Sequence, residues 1–197
     1  MESIRDRFIG DLLSKPPDKI ASFWMLERIP HAFNNNLELY INWKHVLADK
    51  ISVDSASIFL IGSGSAGVSM NPYKNYKEFD AESDLGVAIV SDYYFNESWR
   101  YMRGLGAELH KLPPRAKQSV IDHQKNYIYW GTIATDKILA YLPFGKKWGT
   151  ALKEMSVIEP SGERTINARI YKDFESLRSY HVLNINNLRE HELGKGV

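Results

Sequence analysis

Hydrophobic residues recur at helical spacing in the first quarter of the chain and again at its end. The spacing over residues 4–15, after Asp18 and after Asn36 predicts three helices, so residues 1–52 are expected to form a helical segment. The last helix is predicted to begin at Asp173. Its expected apolar face carries Phe174, Leu177, His181, Ile185 and Leu188.

Three segments between these helices have the pattern of β-strands. Residues 57–61 and 84–90 are short, nearly continuous apolar runs, which are typical of buried strands. Residues 165–171 alternate strictly, with one apolar face, as a half-buried strand does. Further helices are predicted over 92–103, which Gly104 and Gly106 should end, and over 133–142 and 146–155.

These elements predict an α+β fold: a small mixed sheet flanked by helices, with an N-terminal helical segment. The chain contains no repeat and no Gly/Ser linker, so residues 1–197 are expected to form a single domain. Its parts would be the helical segment 1–52, a core over 53–110, and a remainder over 111–197 with the late strand and the last helix.

The composition of the chain excludes several kinds of protein and of functional site. The 197 residues are 44% hydrophobic and 25% charged, which indicates a globular chain rather than a disordered one. The absence of cysteine excludes disulfides, thiol nucleophiles, iron–sulfur clusters and thiolate zinc sites, and the six histidines lack paired metal-binding spacing. No apolar run approaches a membrane span, and residues 1–7 have no secretion-signal pattern, so a cytoplasmic location is expected.

A cluster of small residues follows the first predicted strand directly. Residues 62–67 read Gly-Ser-Gly-Ser-Ala-Gly, and backbone N–H groups in such a cluster can approach a phosphate closely. Asp84 opens the next strand beside those amides, where a metal ion could bridge it to the phosphates. An ordinary turn is the alternative. No Gly-Lys-Ser/Thr follows, as a P-loop needs, and the residues after the glycines are not the helix-forming ones that a dinucleotide site needs.

The two strands together carry a known pattern. Leu60-Ile61-Gly62-Ser63, followed after a loop by Ser83-Asp84-Leu85 and an apolar strand, resembles the signature of the nucleotidyltransferase superfamily, which has the DNA-polymerase-beta-like fold. The resemblance implies that Gly62, Ser63 and Ser65 bind the triphosphate of a nucleoside triphosphate (NTP). It also implies that Asp84 binds Mg²⁺ or Mn²⁺, in a two-metal arrangement that activates an acceptor hydroxyl.

The chain departs from the family at residue 86. The family's second strand carries an acid–hydrophobic–acid pattern, and Gly86 stands where the second acid is expected. Glu82 could share the face of Asp84 if the strand begins early, so these two acids are the candidate catalytic and metal-binding pair. The late strand offers no acid. Gly86 then marks either a degenerate site or a substitution that inactivates an enzyme.

Two functions follow from this resemblance. The first is Mg²⁺-dependent transfer of a nucleoside monophosphate from an NTP to a hydroxyl of RNA, protein or a small molecule. The alternative is a catalytically inactive nucleotidyltransferase fold that binds a nucleotide or nucleic acid. The resemblance to small stand-alone members of the superfamily implies that such an inactive protein would act as a regulatory protein partner in a toxin–antitoxin or phage-defence system.

Charge is unevenly distributed along the chain. Residues 111–153 contain eight basic and two acidic residues, interleaved with aromatic ones, whereas acidic residues predominate elsewhere. Basic and aromatic residues together suit single-stranded nucleic acid, so RNA is a candidate partner of this segment. The favoured alternative is that the aromatic side chains pack in the core and the lysines face solvent.

Overall fold

The first quarter of the chain folds as helices. A computed structural model describes residues 2–194, and within them α1 spans Ile4–Ser14, α2 spans Pro17–Ala21 and α3 spans Leu37–Ile51. The side chain of Asn36 starts α3 by accepting a hydrogen bond from the Leu39 N–H at 2.9 Å. A turn of π-helix continues α2 over Ser22–Leu26.

Four strands form one mixed sheet, in the spatial order β1-β2-β4-β3. Their bounds are β1 Ile58–Ile61, β2 Leu85–Val90, β3 Thr132–Ala134 and β4 Ile166–Tyr171. Strand β2 is antiparallel to β1 and parallel to β4, and β3 is antiparallel to β4. In this register Gly86 lies between Ile61 and Asn167. The three predicted strands are present, and β3 is an additional strand that the pattern did not predict.

Six more helices connect and follow the strands in the described part of the chain. They are α4 Ser63–Ala66, α5 Asp92–Ala107, α6 Pro114–Asp122, α7 Thr135–Ile138, α8 Gly145–Ser156 and α9 Phe174–Leu193. The expectation that Gly104 and Gly106 end a helix is wrong, because α5 continues to Ala107. Met102 and Leu105 pack against the core, and this packing outweighs the weak helix propensity of glycine.

The sheet has two unlike faces. The core face packs against α3, α5, α6 and α8, and every side chain on it is apolar. It consists of Ile58, Leu60, Leu85, Val87, Ile89, Ile133, Ile166, Ala168 and Ile170. The opposite face, here called the α9 face, lies under α9. It consists of Phe59, Ile61, Gly86, Ala88, Val90, Thr132, Ala134, Asn167, Arg169 and Tyr171.

The N-terminal helices hold α9 over the sheet. Ile185 and Leu188 of α9 share an apolar cluster with Phe8, Leu12 and Trp24. Nearer the start of α9, Leu177 packs against the sheet, with Ala88 and Tyr171. Helix α9 is therefore held by contacts both with the sheet and with the N-terminal helices. Among residues 2–194, no helix is both long and apolar enough to cross a bilayer.

Candidate functional site

A cavity of about 640 Å³ lies between the α9 face and α9. The end of β1 and the start of β2 both reach it, because the two strands are antiparallel neighbours with Ile61 opposite Gly86. Gly62, Ser63, Asp84 and Gly86 line it. The structure thus brings the small residues after β1 and the acid before β2 to one site.

The backbone at Gly62 requires glycine. Its φ of 66° and ψ of −149° lie where side-chain-bearing residues are strained. A Cβ atom built on Gly62 would meet nothing within 4 Å, so the space above it is open. The glycine therefore serves the turn of the chain into α4 and leaves the cavity wall open at this point.

Asp84 is exposed and has one side-chain partner. The amide nitrogen Nδ2 of Asn167, on β4, donates to Oδ2 of Asp84 at 2.7 Å. Gly86 lies beside Asn167 in the register of the sheet and has no side chain to add. The described residues thus supply one carboxylate and one amide where the two strands begin.

Glu82 and Ser65, two of the candidate site residues, do not line this cavity. The condition for Glu82 to share the face of Asp84 is not met, because β2 begins only at Leu85 and Glu82 lies in the preceding loop. Its carboxylate is 88% exposed, lies 3.6 Å from Nζ of Lys77 and does not line the cavity. Ser65 is fully buried, and its hydroxyl donates to the carbonyl of Met25 at 3.0 Å. The helical turn of α4 directs Ser65 into the core, so its hydroxyl does not face a ligand.

Arg169 of β4 contributes a positive charge to the cavity. Its Nη1 donates to the Tyr180 hydroxyl at 2.5 Å, and its guanidinium carbon lies 5.3 Å from the ring centre of Tyr180 and 5.7 Å from that of Tyr127. Burial alone would lower the pKa of Arg169, but attraction from Tyr171, Tyr180 and Asp136 outweighs it and raises the pKa. Among the described residues no carboxylate lies within 4.0 Å of this guanidinium.

A polar stripe of α9 forms the opposite wall. It consists of Tyr180, Asn184, Asn187 and His191. Within residues 2–194, Nδ1 of His191 is buried and has no hydrogen-bond partner. The pattern of the sequence did not single out these residues. Their spacing of four, three and four is the available signal, because it puts polar residues in one stripe beside the apolar face of the helix.

His181 lies next to this stripe and is uncharged. Burial, with a further contribution from the charge of Arg169, lowers the pKa of His181 to about 3. Its Nε2 is 3.4 Å from the Tyr171 hydroxyl, whose own pKa is raised by burial. This histidine is a packed residue of α9, in line with its position on the predicted apolar face, and not a base that titrates near neutral pH.

The donor set does not fit a pair of magnesium ions. Two such ions need shared carboxylates, and in the described part of the chain the carboxylates that line the cavity are those of Asp84 and, from a different element, Asp136. Asp136 lies at the start of α7. Within residues 2–194, no group of three or more histidine, aspartate or glutamate side chains is arranged to hold a metal ion.

The basic segment has two of its six aromatic residues in the core, whereas Tyr129 is 81% exposed. Phe144 and Trp148 are buried, and both rings contact that of Tyr94. Lys146 and Lys153 are exposed and line a second cavity of about 770 Å³, which shares Asp136, Asn167 and Ala168 with the first. The packing interpretation thus holds for these two aromatic residues, and RNA binding stays a prediction.

Comparison with models of protein families, with curated proteins and with solved structures finds no match for this chain.

Proposed function

We propose that this protein is nucleotidyltransferase-like and binds a nucleotide in the cavity under α9, acting as a nucleotide-dependent binding partner without transferring the nucleotide. The convergence of Gly62, Ser63 and Asp84 at the mouth of that cavity carries the proposal. These residues belong to the pattern that resembles the superfamily, and the order of helices and strands around them agrees with it.

The cavity has the size and lining of a small-molecule site. Its volume of about 640 Å³ lies in the range of roughly 300–1,000 Å³ that is typical of ligand sites. Tyr73 is 89% exposed, and its ring centre lies 5.9 Å from that of His191. Such rings at a cavity rim offer a surface on which a nucleobase can stack. The phosphates would then lie towards Gly62 and Ser63.

Binding without transfer is favoured by the missing acid. Residue 86 has no carboxylate, and Asn167 donates to Asp84 instead of supplying another acid. A Cβ at Gly86 would lie 3.1 Å from the carbonyl oxygen of Ile61, so a larger residue would require a small shift of β1. The α9 face is built around the glycine at this position.

Nucleotidyl transfer is the second candidate function. Asp136 favours it, because this acid lines the same cavity as Asp84 and would give a second carboxylate. The acceptor would then approach from the adjoining cavity, where Lys146 and Lys153 lie.

Calorimetric titration with ATP, GTP, CTP and UTP tests the binding function. We expect at least one nucleotide to bind more tightly than inorganic triphosphate. Asn184→Phe should abolish this binding by filling the cavity, while Asn186→Phe is the matched control, because Asn186 lies on the same helix but does not line the cavity. Failure of all four nucleotides to bind better than triphosphate would contradict the proposal.

A labelling assay separates the two candidates. The protein is incubated with α-labelled NTPs, Mg²⁺ or Mn²⁺ and total RNA, beside Asp84→Ala and Gly86→Asp variants. We expect no transfer of label by the chain with Asp84 and Gly86 unchanged. Label that is transferred, and lost in Asp84→Ala, would instead establish the second candidate. Transfer that appears only in Gly86→Asp would identify the missing acid as the reason for inactivity.

A further inference from the structure

The positive charge of Arg169 lies inside the cavity without an ion pair: within residues 2–194 no carboxylate is within 4.0 Å of it, and Asp136 attracts it from a greater distance. Its hydrogen-bond partner is the phenol oxygen of Tyr180, and its aromatic neighbours are Tyr127 and Tyr180. In contrast, Arg178 on the outer side of α9 has a carboxylate oxygen of Glu27 at 3.0 Å. Arg178 therefore has a carboxylate in direct contact, and Arg169 has none among the described residues.

A partly buried guanidinium with no carboxylate in direct contact is costly, because it loses hydration and the more distant charge of Asp136 compensates for that only in part. It has five N–H donors in a planar fork that matches the oxygens of a phosphate. Asn184 and His191 face the same space, and the Nδ1 atom of His191 has no partner in the described part of the chain. The cavity is therefore built for an oxygen-rich anion.

The position of Arg169 relates it to the site at the strand ends. Asn167 precedes it by two residues on the same face of β4, and Asn167 is the residue that contacts Asp84. A chain of phosphates that starts at Gly62 and Ser63 can therefore extend across Asn167 towards the guanidinium. On this path Asp84 repels the phosphates unless its charge is neutralised.

We propose that Arg169 takes the place of divalent metal ions in this cavity, so that the phosphates of the ligand are bound by the guanidinium in the absence of metal. This inference rests on the proposed function, because it takes a nucleotide as the ligand. It adds that Arg169 is the group that binds the phosphates. A metal-dependent site would need Asp84, whereas the guanidinium site is weakened by it. Removal of the Asp84 charge should therefore weaken phosphate binding at a metal-dependent site and strengthen it at a guanidinium site.

The test is calorimetric titration of inorganic triphosphate into the full chain, with excess EDTA or with Mg²⁺. We expect binding in EDTA, with no gain from Mg²⁺. Arg169→Gln should weaken it at least tenfold, and Arg169→Lys should retain part of it. Asp84→Asn should bind severalfold more tightly, because a repelling charge is removed. Arg103→Gln is the matched control, since Arg103 stacks on Trp99 outside the cavity and should leave the affinity unchanged.

Two results would overturn the inference: no binding of triphosphate in EDTA, or loss of binding in Asp84→Asn. These two measurements use the unsubstituted chain and Asp84→Asn, which changes an exposed residue. They therefore test the inference even if Arg169→Gln does not fold. The two proposals fail separately. ATP that binds only with Mg²⁺ contradicts the role of Arg169 and leaves nucleotide binding intact. Triphosphate that binds in EDTA as tightly as every NTP supports the role of Arg169 and contradicts nucleotide recognition.

Discussion

The two faces of the sheet are made by the same four strands but differ in what they can do. On the core face, apolar side chains meet the apolar sides of four helices. On the α9 face, Gly86, Asn167 and Arg169 line an open space beneath a single helix, with Asp84 at its edge. Both faces are covered by helices, so solvent exposure does not explain the polar residues of the α9 face.

This difference separates stability from binding. Burial of apolar surface on the core face is the main source of the folding free energy. Polar groups enclosed beneath α9 contribute little to folding and are costly without a partner. We therefore expect substitutions on the core face to change the free energy of unfolding, and substitutions on the α9 face to change affinity for a ligand.

The largest expected effect is on the core face. Leu60→Ala removes a fully buried side chain from β1 and should lower the free energy of unfolding by about 2–5 kcal/mol. Urea unfolding measures this change. Asn167→Ala, on the α9 face, is the comparison and should cost clearly less. If Asn167→Ala cost as much as Leu60→Ala, the two faces would not differ as described.

Acidification should destabilise the fold in part through His181 of α9. His181 has a folded-state pKa of about 3 against an unfolded value of about 6.5, so the unfolded state binds the proton first. The stability that this histidine contributes is complete above pH 6.5 and is lost as the pH falls towards 3. Through His181 alone, the free energy of unfolding should fall by up to ~1.4 kcal/mol for each unit by which the pH is lowered.

Urea unfolding at pH 7, 6 and 5 checks this dependence. His181→Gln should flatten it, because glutamine does not titrate. His110→Gln is the control, since His110 is exposed and should leave the slope unchanged. Equal slopes in the natural sequence and in His181→Gln would show that another group controls the acid response.

An added acid on the α9 face should change binding in a metal-dependent way. Asn167→Asp puts a second carboxylate beside Asp84 and opposite Gly86. In EDTA, the affinity for triphosphate should fall by about tenfold through charge repulsion. With Mg²⁺ the affinity should recover, since two carboxylates can hold the ion. Unchanged affinity in EDTA would mean that the phosphates do not pass Asn167.

The smallest expected effect is at the start of α9. The carboxylate of Asp173 accepts a hydrogen bond from the Ser176 N–H at 2.7 Å, and this contact lowers the pKa of Asp173. Asp173→Ala should lower the free energy of unfolding by about 1 kcal/mol. Asn36→Ala, at the cap of α3, should cost a similar amount. Because α3 covers the core face, this second variant should leave triphosphate affinity unchanged, as calorimetry would show.

The periodicity of the sequence was informative where one face is apolar. It predicted β1, β2 and β4, and it predicted the buried positions Leu177, His181, Ile185 and Leu188 of α9. Phe174 was placed on that face but is 59% exposed, because it lies in the first turn of the helix. Strand β3 has only three residues, too few to show a period.

The candidate site was predictable only in part. Gly62, Ser63 and Asp84 follow from the two strands, because antiparallel neighbours bring the end of one to the start of the other. Ser65 was misassigned, since the pattern does not show that α4 begins at Ser63 and turns it inward. Tyr180, Asn184 and His191 were missed because a polar stripe on a helix usually faces solvent. In this fold it faces a cavity.

Hydrogen exchange with and without ATP is the most direct test of the central claim, that the α9 face is a ligand site and the core face is not. The account predicts that ATP slows exchange at residues 62–66, at residues 84–86 and along α9, with no change in α3 and α8. Slowed exchange in α3 and α8 without any change in α9 would contradict it.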